Sequence, residues 1–168
     1  MPYFLIVLGV IARLIPHPWN FTPIGALGVF AGANCSPRIA WLVPISALLV
    51  ADLVVGFYNP VTMFFVYLGF FFGPLIGRLI IAPRRSVGRI GAAVLSTSTV
   101  FFVVSNLGVW LGGYYPLTVA GLIECYVRAI PFYGVMLLGD ALYATILFGG
   151  QEVITTALSR QSDNLANS

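Results

Sequence analysis

Arg13, Asp52, Asn106 and Asp140 each interrupt a long apolar run. Ionisable groups in such runs cost several kcal/mol when placed in hydrocarbon, so by default they mark a site. Together they supply a cation, two carboxylates and an amide, enough to hold a small polar solute by charge and hydrogen bond. Three connecting segments carry further polar and aromatic groups. "PHPWNF" brings His17 and Asn20, "GFYNPVT" brings Tyr58 and Asn59, and "GGYYPLTVAGLIECYVRAIPF" brings Tyr114, Tyr115, Glu124 and Arg128. Aromatic walls with a few convergent polar groups are what a small-molecule pocket requires.

These groups must be positioned by helices in a bilayer. Of 168 residues, 60% are hydrophobic and 8% charged, with mean hydropathy +0.99. A soluble domain carries about 25% charged residues, so a water-facing surface is excluded. The apolar runs are continuous rather than alternating, which excludes barrel strands and fits helices that satisfy their own backbone hydrogen bonds. The expected fold is an all-α integral membrane protein of about six transmembrane helices, near residues 2–15, 22–34, 38–57, 61–82, 89–112 and 132–158. A short helix over 117–129 is expected in the long connection. The bundle is expected to occupy residues 1–158 as one domain, with 159–168 a mobile polar tail. No basic stretch precedes the first apolar run, so it reads as a retained helix rather than a leader.

The eight basic residues are all arginine. Arg84, Arg85 and Arg89 share one short loop, which the positive-inside tendency assigns to the cytoplasm. Threading outward puts both termini inside and the three aromatic segments outside. Arg13, Asp52, Asn106 and Asp140 then lie at one level beneath the outer face, within about 5 Å at 1.5 Å per residue. Arg78 lies at the inner end, where it can snorkel.

Two arrangements satisfy this layer. One is a ligand cavity open to the outside, bound by Arg13, Asp52, Asn106 and Asp140 and roofed by His17, Asn20, Glu124 and Arg128. The other is a structural network, with Arg13 paired to Asp52 or Asp140. Glu124 and Arg128, four apart, can also simply pair on one helix face. Gly69, Gly73 and Gly77 recur every fourth residue, giving a face that a neighbouring backbone can approach. That neighbour is either another helix of this chain or a docked partner. Cys35 and Cys125 belong to no metal-ligand spacing and read as apolar fillers. No nucleotide-binding, hydrolase or metalloprotease motif is present. Neither an enzyme, a cofactor, a metal nor a nucleic-acid partner is expected.

The strings "RLIPHPWNFTPIGALGVFAGA", "LLVADLVVGFY", "FVYLGF", "SNLGVW" and "CYVRAIPFYGVMLLGDALYATILFGG" resemble a bacterial membrane-protein family over residues 10–150. That family looks like the substrate-binding S components of energy-coupling-factor transporters. The resemblance implies six helices with both termini inside and an outward pocket roofed by the loops after helices one, three and five. It also implies capture of a small solute such as a vitamin or heteroaromatic precursor at the inner (cytoplasmic) membrane. The energy would come from a separate transmembrane coupling subunit and ATPases. Those components dock through an AxxxA face on helix one, whereas this chain offers only Gly9 and Ala12 there. The alternative is a non-catalytic structural or accessory subunit of a larger membrane complex.

Overall fold

An eleven-residue helix, Ile24–Asn34, forms the centre of the molecule, with residues 24–32 all buried. Its sequence, IGALGVFAGAN, has no polar face, and a helix apolar all round must be enclosed. The computed structural model describes residues 2–16 and 20–166; His17 therefore lies outside the described residues. Among these there are six α-helices and no strand: α1 (Pro2–Leu14), α2 (Ile24–Asn34), α3 (Pro37–Val55), α4 (Pro60–Ile80), α5 (Val87–Val109) and α6 (Val119–Ala166). Helices α3 to α6 enclose α2, and α1 packs mainly on α3.

Local chemistry sets the helix ends. Pro37 and Pro60 occupy first-turn positions, where a missing N–H costs nothing. Asn59 caps α4 by accepting from the Val61 and Thr62 amides at 3.0 and 3.1 Å. Ser86 caps α5 through the Arg89 amide at 3.3 Å. Gly56, at φ +105°, ends α3 in a conformation that side chains resist.

Helices α3, α4, α5 and α6 are long and apolar enough to cross a membrane. Their outer surfaces carry exposed leucine, valine, isoleucine and phenylalanine, as bilayer-facing helices do. The helices α1 and α2, at thirteen and eleven residues, reach only about 20 and 17 Å. That is short of a bilayer core of about 30 Å.

The glycine face of α4 is packed inside the chain. Gly73 lies against Gly28 of α2, where an added Cβ would sit 3.4 Å from the Gly28 Cα. A Cβ at Gly77 would overlap the Val29 carbonyl oxygen, and one at Gly32 the Pro74 carbonyl oxygen. Gly69 meets Phe101 of α5. Of the two neighbours expected for Gly69, Gly73 and Gly77, the structure shows helices of this chain, α5 at Gly69 and α2 at Gly73 and Gly77.

Two further expectations change. The short helix expected over 117–129 is the first part of α6, which continues through Pro131 without a break. A proline within a membrane helix is tolerated because surrounding groups satisfy the freed carbonyl, so its stop signal is weak there. The expected tail is also helical, to Ala166. Thr155, Ser159 and Ser162 return their hydroxyls to backbone carbonyls within their own turns, at 2.6 to 2.9 Å.

The chain direction follows. Arg13 and Thr62 lie at one end of the bundle, with the α3–α4 and α5–α6 connections. Arg84, Arg85 and Arg89 lie at the other. Phe4 near the start of α1 and Ile154 late in α6 line the same groove at the arginine end, so both outer helices point their terminal ends that way.

Candidate functional site

Two buried carboxylates mark the polar interior, and each is already engaged. The Arg13 guanidinium, in the last turn of α1, donates from Nη2 to Asp52 Oδ1 at 2.8 Å. The other oxygen, Oδ2, accepts from the Tyr67 hydroxyl at 2.9 Å. Asp52 is 1% exposed. Tyr58, in the turn after α3, stands nearby. Burial, and next the Asp52 charge, push its phenol up to about 12, so it stays a hydrogen-bond donor throughout the neutral range.

Asp140 lies elsewhere. It accepts from the Ala26 amide at 3.0 Å through Oδ1 and from the Ser98 hydroxyl at 2.8 Å through Oδ2. The residue before α2 is Pro23, which has no side-chain oxygen to cap the helix. Asp140 supplies that cap from 114 residues away, placing a carboxylate at the positive end of α2. Gly25 makes room for it: a Cβ there would sit 2.5 Å from both carboxylate oxygens.

Above these groups are three adjoining chambers of about 390, 250 and 150 Å³, all lined by Asn20. Asn20 holds φ +63°, in the left-handed region that asparagine tolerates best after glycine. Its side chain makes no hydrogen bond among the described residues. The largest chamber is walled by Arg13, Thr22, Tyr58, Thr62, Phe70 and Met136. The smallest joins it through Val66 and Phe101 and adds Phe102, Ser105, Asn106 and Tyr133. The third opens beside Tyr115, Cys125, Arg128 and Phe132.

Aromatic contacts fix these walls. Phe70 and Phe101 lie 4.1 Å apart, and Phe102 and Tyr133 5.0 Å, measured between ring centres. Thr62 donates to the Gly108 carbonyl at 3.1 Å, and Asn106 to the Phe102 carbonyl at 2.8 Å; the Asn106 amide oxygen has no partner among the described residues. The buried Arg13 Nε also lacks an acceptor. An unpaired buried N–H costs about 1–3 kcal/mol.

The structure thus separates residues that the sequence grouped on one level. Arg13, Asn20, Asn106 and Arg128 line the chambers. Asp52 is held in its ion pair, and Asp140 lies one turn along α6 from the lining residue Met136; neither reaches a chamber wall. Glu124 pairs with Arg128 at 2.8 Å on the exposed face of α6. An exposed pair of this kind contributes little to stability. Cys125 donates weakly to the Asn106 carbonyl at 3.5 Å.

Sequence reasoning missed Thr62, Val66, Phe101, Ser105, Tyr133 and Met136 as lining residues. Phe101 and Ser105 stand one helical turn apart on α5, a spacing that could have marked the face. Ser98 and Tyr67 were missed as partners because a lone hydroxyl in an apolar run does not reveal which helix it meets.

A family model described as a family of unknown function (DUF6580) matches residues 1–162. No curated protein matches the chain, and no solved structure matches it.

Proposed function

We propose that this chain, which belongs to the DUF6580 family of unknown function, is a membrane-embedded solute-capture protein whose site is the set of chambers around Asn20. The observation that carries this reading is the disposition of charge. Both buried carboxylates are occupied, whereas Arg13 Nε is buried without an acceptor, and neither the Asn20 side chain nor the Asn106 oxygen is bonded to a partner among the described residues. Such a site suits a flat aromatic or heteroaromatic solute that is neutral or carries one carboxylate. A cationic solute has no free acid to meet it. The two aspartates, expected from the sequence to bind the solute with Arg13 and Asn106, are here held by partners of their own.

In the full proposal the chain crosses the inner membrane six times. Its arginine loop and both termini are cytoplasmic, and the chambers face outward. Enclosed by protein, α2 crosses without needing the length that lipid demands. The layout is similar to that of an S component, with uptake driven by a separate transmembrane subunit and ATPases. The glycine face of α4 is not free for that subunit, so the proposal rests on the solute site alone.

The test is a thermal-shift screen of purified protein against vitamins, nucleobases and aromatic carboxylates. A stabilising hit abolished by Val66→Trp, which fills the junction of two chambers, supports the reading. A screen without hits, or a hit indifferent to Val66→Trp, counts against it.

A second reading, as a structural or accessory subunit, draws on α6. Its 48 residues span about 72 Å, more than twice a bilayer core. Co-purification with a non-transport complex through residues 151–166 would favour it.

A further inference from the structure

The end of the bundle opposite the chambers carries an unrelated feature. Arg84 and Arg85 are exposed in the turn between α4 and α5, and Arg89 is exposed in the first turn of α5. The ion pairs among the described residues are Arg13–Asp52 and Arg128–Glu124, so none of these three has a carboxylate partner there. Arg85 is nevertheless fixed. Its guanidinium lies 5.3 Å from the centre of the Phe148 ring and donates to Asn34 Oδ1 at the end of α2. The same oxygen accepts from Gln151 Nε2 at 2.9 Å, so α2, α6 and the arginine turn are tied at one point. Arg89 donates to the Ile80 carbonyl at 2.9 Å, which holds it beside the same turn.

A groove of about 520 Å³ opens next to this anchor, between the start of α5 and α6. Val87, Ile90, Ala144 and Phe148 make it apolar along its length, and Arg85 stands at its end, with Glu152 on the other wall. Val87, on its rim, is 88% exposed. An apolar trough ending at a positioned arginine, with two more arginines adjoining, is complementary to an amphiphile with an anionic head. We infer that this groove binds one anionic glycerophospholipid, an acyl chain along Ile90 and Phe148 and the phosphodiester at Arg85. Arg85 and Glu152 balance within the groove, and Arg84 and Arg89, beside it in the chain, tip the local charge toward a net-negative headgroup over a zwitterionic one. Glu152 suits a headgroup that also donates hydroxyls, as phosphoglycerol does, and disfavours a bare phosphate.

The full chain is delipidated in a neutral detergent and titrated with dioleoylphosphatidylglycerol or dioleoylphosphatidylcholine, and bound lipid is counted by native mass spectrometry. The phosphatidylglycerol adduct is expected at about tenfold lower lipid concentration. The variant Arg85→Gln loses that preference. Because Arg85 also holds Asn34, Gly149→Phe serves as the second variant. An added Cβ at Gly149 meets nothing within 4 Å, so the ring enters the groove without disturbing the bundle. It is expected to weaken phosphatidylglycerol retention about tenfold while leaving helicity and unfolding unchanged. Equal affinity for the two lipids, retention by Gly149→Phe at the wild-type level, or displacement by equimolar sn-glycerol 3-phosphate would each overturn the assignment.

Discussion

Gly25 and Asp140 should fail together rather than separately. The Ala26 amide is capped by Asp140 at 3.0 Å, and a methyl at position 25 would lie 2.5 Å from each carboxylate oxygen. Restoring ordinary contact requires the carboxyl to retreat by about 1 Å, which stretches that hydrogen bond beyond useful geometry. Overpacking costs about 1–3 kcal/mol and a lost cap about 0.5–2 kcal/mol. Gly25→Ala is therefore expected to destabilise by about 2–4 kcal/mol, although alanine is the better helix former by about 0.5–1 kcal/mol. Asp140→Ala leaves the Ala26 N–H and the Ser98 hydroxyl unpaired, at a cost of about 3 kcal/mol. In the double variant the methyl has nothing to strike. The pair should then cost no more than Asp140→Ala alone, a coupling of about 2 kcal/mol or more. The assay is equilibrium unfolding in mixed micelles by added SDS, followed by tryptophan fluorescence, on the four proteins of the cycle. Additive costs would refute the argument that Gly25 exists to admit Asp140.

Three other outcomes follow from the same geometry. Arg13→Ala should destabilise by about 3–5 kcal/mol by stranding Asp52, and Arg13→Ala with Asp52→Ala should recover much of it, measured in the same unfolding assay. Gly77→Ala, whose methyl would overlap the Val29 carbonyl oxygen, should push α4 from α2, visible as reduced yield and a loss of about 1–3 kcal/mol or more. Glu124→Gln, by contrast, should change stability by no more than about 0.5 kcal/mol, because its pair with Arg128 is exposed.

The membrane class and the helical fold were legible because they rest on composition and run length, which need no partner. The pairing of Arg13 with Asp52 was legible as one of two alternatives, since both sit near the same end of their helices. The role of Asp140 was not. Its contact with Ala26 spans 114 residues, and nothing near Pro23 announces that α2 lacks its own cap. Gly69, Gly73 and Gly77 signalled a close approach but not by whom, because spacing along one helix is silent about the neighbour. Pro131 misled for a physical reason: proline halts helices in water far more strictly than in a packed membrane bundle. The chambers themselves come from Asn20, Phe101 and Met136 meeting across three separate segments, which no local pattern records.

Whether the chambers around Asn20 take a flat neutral or anionic solute is tested most directly with a charge-matched series. Indole-3-acetate, indole-3-acetamide and tryptamine share one ring system and differ by one charge at each step. Binding to the purified full chain is measured by equilibrium dialysis, with Val66→Trp as the filled-cavity control. Measurable binding of the acetate and the acetamide is expected, with at least about tenfold weaker binding of tryptamine and loss of all three in Val66→Trp. Preference for tryptamine, or binding unchanged by Val66→Trp, would contradict it.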